Sequence, residues 1–429
     1  MTTPAPSDPD SKPRPTFAEA FRFWSRLGWI NFGGPTGQIA IMHRELVDRK
    51  KWIDEKHFLH ALNYCMMLPG PEAQQLATYL GWYLHGIRGG VCAGALFVFP
   101  AVFILWGLSL IYVCYGTVPI IAAAFYGLVP AVIAIVFHAM VRLAGKTLHD
   151  PLRWLIAISA AVLIYFYRDA YPCVVLGAGL LGWIFRKKNE NVSPVTEPKA
   201  GSSPIRIAPL VRVAIICIAI WFAPLLILGS WLGWNHIVAQ EGIFFSKAAL
   251  VTFGGAYAVL PYVAQHAVEQ YHWLSRDEML HGFGLAETTP GPLIMVLQFV
   301  GFLGAWHHPG GLHPLTAATL GSFITSWVTF APSFLFILVG APFVERLGQI
   351  AAIQSALSAI SAAVVGVMAN FAIWFAWHAL FPGNAIGHPD LFVLAVSVGS
   401  FVALWLWQAD VMLLIGLCAA LGVIYRVII

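Results

Sequence analysis

Two cations and two carboxylates stand in stretches that are otherwise apolar. Arg26 and Lys247 each lie six residues ahead of a Phe-Gly-Gly triplet, at Phe32-Gly33-Gly34 and Phe253-Gly254-Gly255. A cation in a membrane segment is costly and usually faces a cavity or a partner, so a pair of them would suit a dianion. Snorkelling of the long side chain to the interface is the plain alternative. Glu72 follows one Pro-Gly-Pro (Pro69-Gly70-Pro71), and Glu287 precedes another (Pro290-Gly291-Pro292). An intramembrane carboxylate is a candidate proton relay. For Glu72 the first turn of a helix is an equally ordinary place for an acid. Asn63, Gln74, Gln75, Thr252, Thr288, Thr289 and Gln298 lie close to these breaks. They can hydrogen-bond an oxyanion or cap the broken helices. His60 and His281 fall at equivalent places and read as proton carriers or as packing residues.

The breaks have a chemistry of their own. Proline has no N–H to donate and its ring clashes with the preceding turn. The residue before it is pushed out of the helical region, and glycine opens positive φ. Each break should therefore end one helix and begin another. A helix N-terminus offers free N–H groups and about half a positive charge. Four termini, at Gly33-Gly34, Gly70, Gly254-Gly255 and Gly291, could together hold an oxyanion without burying four full charges. Simple hinges for packing are the other reading.

The elements that must position these groups are membrane helices. Of the 429 residues 59% are hydrophobic and 10% charged, and mean hydropathy is +0.76. A soluble domain carries about a quarter charged residues. Runs at 91–115, 118–141, 209–232, 316–343, 391–407 and 411–429 are long enough to span a bilayer as helices. Shorter apolar stretches lie at 58–68, 72–84, 152–166 and 171–185. The net charge of +4 points to no nucleic-acid partner. The cysteines are scattered, without a CxxC or a metal spacing, and read as free thiols. Residues 1–16 are polar and proline-rich, read as a disordered cytoplasmic terminus rather than a signal peptide. There is no HExxH, GxSxG or Walker loop, so no catalytic residue, metal or cofactor is expected, and a transporter of this kind would have to use an ion gradient or run as a passive carrier.

The second half repeats the first. At the offset that separates Gly70 from Gly291, Phe23 falls on Phe244, Arg26 on Lys247, Trp52 on Trp273 and His60 on His281. The period is far too long for a solenoid and marks a duplicated domain. The reading divides the chain into a first domain at 17–185, a polar cytoplasmic linker at 186–207 and a second domain at 208–429. The stretch 36–68 carries Arg44, Arg49, Lys50, Lys51 and Lys56, whereas 257–289 has Arg276 beside Glu269, Asp277, Glu278 and Glu287. By the positive-inside bias the halves are inverted. Inverted halves with broken helices point to a secondary transporter with its site near the midplane. The fold class is an all-α polytopic membrane protein, two homologous halves forming an inverted repeat with broken or re-entrant helices.

The segment FGGPTGQIAIMHRELVDRKKWIDEKHFLHALNYCMMLPGPEAQQLATYLGW (32–82) resembles the first half of the long-chain chromate transporters, the CHR family. TFGGAYAVLPYV (252–263) and LAETTPGPLIMVLQFVGF (285–302) resemble its second half. The resemblance implies a two-domain protein of the bacterial inner membrane that exports chromate and gives chromate resistance, with sulfate as the natural mimic. The expected partners are chromate, sulfate and the lipid bilayer, and a homodimer is left open. The expected substrate site is Arg26, Gly33, Gly34, Asn63, Gly70, Gln75, Lys247, Thr252, Gly254, Gly255, Thr288, Thr289 and Gly291, with Glu287 or Glu72 carrying a proton. Membrane potential, proton antiport or both would drive export; an oxyanion uptake carrier and an anion channel are the alternatives.

Overall fold

The structure, a computed structural model, describes residues 15–32, 34–167, 170–185, 207–253, 255–343, 351–381 and 389–428. The expectations placed on Gly33, Gly254, residues 1–14 and 186–206 lie outside these residues. Among the described residues the chain is helical without strands. The first repeat holds α1 (Phe17–Ile30), α2 (Gly34–His43), α3 (Glu55–Met67), α4 (Glu72–Tyr115), α5 (Pro119–Thr147), α6 (Pro151–Phe166) and α7 (Tyr171–Ile184). After α8 (Ile207–Leu232) come α9 (Ile237–Leu250), α10 (Ala256–Gln265), α11 (Arg276–Thr288), α12 (Val296–His307), α13 (Pro314–Gly340), α14 (Ala351–Leu380), α15 (Leu391–Leu406) and α16 (Val411–Ile428).

The duplication extends to single hydrogen bonds. α2 ends in a π-helical turn at Arg44–Arg49, and α10 in one at His266–Gln270. Lys51 and His272, equivalent by the repeat offset, both adopt positive φ, 53° and 52°. Trp52 N–H then donates to Leu46 and Trp273 N–H to Ala267. The next helix is capped in both repeats. Asp54 accepts from the His57 N–H, and Ser275 forms a capping box with Glu278.

The broken helices are hairpins. Tyr64 lies against Tyr79 and His57 against Tyr83, so α3 and the start of α4 run antiparallel from a tip at Gly70. In the second repeat Glu278 reaches His307 across α11 and α12, from a tip at Gly291. The stacking of Phe244 on Tyr262 sets α9 beside α10 in the same way. The 44-residue α4 is itself a hairpin. Its backbone leaves helical geometry at His85 and Gly86, and Gly81 then packs on Gly89 and Ala93. The sequence expectation of separate segments at 72–84 and 91–115 agrees with this.

The halves interlock. α5 packs on α15 and α16, while its equivalent α14 packs on α6 and α7. Among the described residues six helices are long and apolar enough to cross a membrane, including Ala352–Leu380, which the sequence reading did not name. Conversely, the expected span at 391–407 is a 16-residue helix. Along α6, α7 and α8 large apolar side chains such as Leu155, Phe166, Leu176 and Ile227 are exposed. A patch of that extent marks a surface to be covered, here by lipid.

Candidate functional site

Four chain breaks meet in two pairs between the repeats. The Gly70 N–H donates to the Thr252 carbonyl at 2.7 Å, and the Gly291 N–H donates to the Asn31 carbonyl at 3.2 Å. Asn31 is the repeat equivalent of Thr252, as Gly70 is of Gly291. The two bonds are therefore one bond made twice with the repeats exchanged, as at a two-fold related interface. The glycines match in conformation, with φ of 124° and 123°. Gln38, fully buried, locks the second junction: its Nε2 donates to the carbonyls of Asn31 (2.9 Å) and Gly291 (2.6 Å). Asn31 Nδ2 donates to the Phe97 carbonyl, fastening that tip to α4.

Each break is followed by a helix start, at Gly34, Glu72, Ala256 and Leu293. The first N–H groups of a helix have no partner within it. At about half a positive charge each, four termini supply roughly the charge that neutralises a dianion. They do so with fixed backbone dipoles.

The acids collect beside one tip. Glu72, from the first repeat, has Oε1 3.6 Å from where a β-carbon on Gly255 would stand. Glu287 is buried, and its Oε1 accepts from the Tyr257 hydroxyl at 2.8 Å. Tyr257 is the second residue of α10 and so belongs to the same tip. The equivalents of Glu72 and Glu287 are Leu293 and Met66. The two junctions therefore differ in chemistry although they share a backbone.

The other expected residues divide. Arg26 and Lys247 are exposed and are not brought to the breaks. The buried stripe of α1 is Ala20, Phe23, Trp24, Leu27 and Gly28, which turns Arg26 outward beside Phe21 and Arg22. Asn63 is exposed on α3. The Thr252, Thr288 and Thr289 hydroxyls donate to the carbonyls of Ala248, Leu285 and Ala286, so they close helix ends. Gln75 donates to the Pro69 carbonyl at 2.7 Å and holds the first tip in shape. Gly34 and Gly255 have φ of 65° and 86°, which suits the tight entry into α2 and α10.

Sequence reasoning missed Asn31, Gln38, Tyr257 and Glu241. Asn31 had a signal, since it aligns with Thr252 directly ahead of the second Gly-Gly. Glu241 had none: it sits in the second turn of α9, where an acid draws no attention. Its carboxylate is fully buried and faces Gly304 and Gly321.

Comparison with known proteins agrees with this two-repeat layout. A family model described as "Chromate transporter" matches residues 18–183 and 239–423, leaving α8 between the matched regions. A chromate transport protein of Pseudomonas aeruginosa is 31% identical over 364 residues, 83% of this chain and 80% of that one. One from Cupriavidus metallidurans is 28% identical over 380 residues, 87% of each chain. An uncharacterised transporter of Bacillus subtilis is 30% identical over 141 residues, which is 33% of this chain but 71% of its own. No solved structure matches the chain.

Proposed function

The chain belongs to the chromate transporter family, and from that premise we propose that it is a secondary carrier exporting chromate across the inner membrane. The observation that carries this reading is the reciprocal pair of bonds, Gly70 to Thr252 and Gly291 to Asn31. It sets a break of one repeat against a break of the other at two junctions, the kind of pairing by which a carrier built from inverted repeats holds an anion. The halves are inverted, with the basic 36–68 segment and the 186–207 linker in the cytoplasm and the acidic 257–289 segment outside. A dianion leaving a negative interior gains about 2.3 kcal/mol per charge per 100 mV. Export then confers chromate resistance, and sulfate enters the same site as a tetrahedral dianion.

Proton coupling runs through Glu287, with Glu72 as its neighbour at the tip. A carboxyl group donates a hydrogen bond to an oxyanion only when protonated, and repels it when ionised. Occupancy by substrate and by proton are thus linked. The same acids favour a second reading, in which proton and oxyanion enter together and the carrier serves sulfate uptake. Proteoliposomes with potential and pH gradients imposed separately decide between them. The export reading expects chromate to move toward the positive side with no pH gradient. Flux that follows only the inward proton gradient supports uptake. Flux that never saturates removes both carriers and leaves a channel.

A further inference from the structure

The second repeat carries a cavity that the site above does not use. About 930 Å3 in volume, it opens at the ends of α12 and α14 and is bounded by the turn that joins α10 to α11. His272, His307, His308 and His378 line it, together with Arg276 and Glu269. His307 Nε2 stands 3.4 Å from the Glu278 carboxylate on α11, whose exposed neighbour is Asp277. Buried His266 stands behind this wall, its Nδ1 bonded to the Tyr262 carbonyl. Among the described residues no His, Cys, Asp and Glu group is disposed to hold a metal ion.

Three of the imidazoles are fixed in the same way. Nδ1 of His272, His308 and His378 lies 3.0, 3.2 and 2.8 Å from the carbonyl four residues back, at Val268, Gly304 and Trp374. A carbonyl only accepts, so Nδ1 carries the hydrogen and Nε2 is the nitrogen left over. In neutral imidazole that Nε2 is an acceptor and is indifferent to an oxyanion. Protonation makes it a charged donor. With the four histidines neutral, Arg276 faces Glu269 and Glu278 and the bowl is net negative. With them charged, it is net positive. The sign of the cavity therefore turns over when its imidazoles take up protons.

The repeat strengthens the reading. The equivalent of His272 is Lys51, at the same left-handed φ. One end of the molecule thus carries a fixed cation where the other carries a titratable one. A second cavity, of about 450 Å3, shares Glu269, Trp374 and His378 with the bowl and continues along α10 past Pro261, Ala264 and Gln265. α10 begins at Ala256, directly after Gly255, which lies beside Glu72.

We propose that this bowl is a second oxyanion-binding site, a vestibule for tetrahedral dianions at the outer mouth, switched on by protonation of His272, His308 and His378. Its role as a vestibule rests on the export reading; its anion binding does not. A charged mouth of this kind changes local anion concentration by about tenfold or more.

Radiolabelled sulfate is the probe, because it stays a dianion over this range whereas chromate takes up a proton. Equilibrium binding is measured on the purified full-length protein with Glu72→Gln and Glu287→Gln in every sample, which takes the proton linkage of the junction site out of the comparison, at about pH 5.5 and about pH 8, either side of the histidine range. The histidine-intact protein should bind about tenfold tighter at the lower pH, and adding H272Q/H308Q/H378Q should remove most of that difference. H378Q alone, whose Nδ1 bonds only within its own helix, serves if the triple variant does not fold, and should lose part of it. A pH effect retained in whichever histidine variant is assayed, or absent from the histidine-intact protein, overturns the proposal. Chromate transport at the higher pH should be equal in wild type and variant. Failure of wild type to transport chromate would sink the export reading while leaving the sulfate result to judge the bowl.

Discussion

Gly70 of the first repeat is bonded through its N–H to the carbonyl of Thr252 in the second, at 2.7 Å. The same bond recurs between Gly291 and Asn31. Both join tips of different repeats, so neither repeat can complete a junction alone. Each bond is worth only about 0.5–1.5 kcal/mol net. Two of them can hold the repeats in register and are weak enough to be broken or re-formed if, as proposed, the carrier works by rocking one half against the other.

The junction glycines are the sharpest test of this arrangement. At φ of 124° and 123° any L side chain is strained, and a β-carbon on Gly70 would press on Gln75 and Ser333, one on Gly291 on Ala101. Gly70→Ala and Gly291→Ala should each cost about 1–3 kcal/mol of stability and at least about tenfold in transport. Thermal unfolding in detergent and chromate flux in proteoliposomes measure the two. Wild-type flux in both variants would detach the junctions from transport.

The exposed cations lead the other way. Sequence spacing alone makes Arg26 and Lys247 a paired charge for a dianion, and expects either alanine variant to be inactive. With both side chains exposed on the faces of α1 and α9, Arg26→Ala and Lys247→Ala should change stability by no more than about 0.5 kcal/mol and leave chromate KM near wild type. A large rise in KM for either would show that the side chain reaches the substrate after all.

Glu287 and Tyr257 form a hydrogen-bonded pair across the second repeat's two hairpins. Glu287→Gln keeps the shape but loses the exchangeable proton. It should abolish proton movement coupled to chromate while potential-driven flux continues. Tyr257→Phe removes one bond to a carboxylate and should cost about 1.5–3 kcal/mol if that carboxylate is charged, less if it is not. Proton uptake by a pH-sensitive dye inside liposomes, alongside chromate flux, reads both. Unchanged coupling in Glu287→Gln would pass the role to Glu72.

What was legible in the sequence follows from what is local. The two Pro-Gly-Pro breaks, the duplication and the split of 72–84 from 91–115 are backbone chemistry, written in proline and glycine. Which tips touch is not local. The offset says that Asn31 and Thr252 are equivalent, but not that each meets the other repeat's Pro-Gly-Pro. The misplaced Arg26 was readable in part, because Ala20, Phe23, Trp24 and Leu27 already mark the buried stripe of α1. The span at Ala352–Leu380 was obscured because Gln354, Ser355, Ser358, Ser361 and Asn370 interrupt its apolar run; the small serines among them let α6 and α7 approach, as at Ser355 against the Gly182 carbonyl.

Glu241 supplies a test of packing away from the junctions. Its carboxylate occupies the space left by two missing side chains: a β-carbon on Gly304 would meet Oε1, and one on Gly321 would meet Oε2, each at 2.5 Å. Gly304→Ala should therefore destabilise the α9, α12 and α13 cluster by about 1–3 kcal/mol, the usual cost of overpacking. Removing the carboxylate should make room. In a Glu241→Ala background the same glycine substitution should cost less, with a coupling of about 0.5–3 kcal/mol. Relief will be incomplete, because Trp273 also stands 3.2 Å from the new methyl. Thermal unfolding of the four proteins in the cycle measures the coupling. Strict additivity would mean that Trp273, and not Glu241, sets the limit on residue 304.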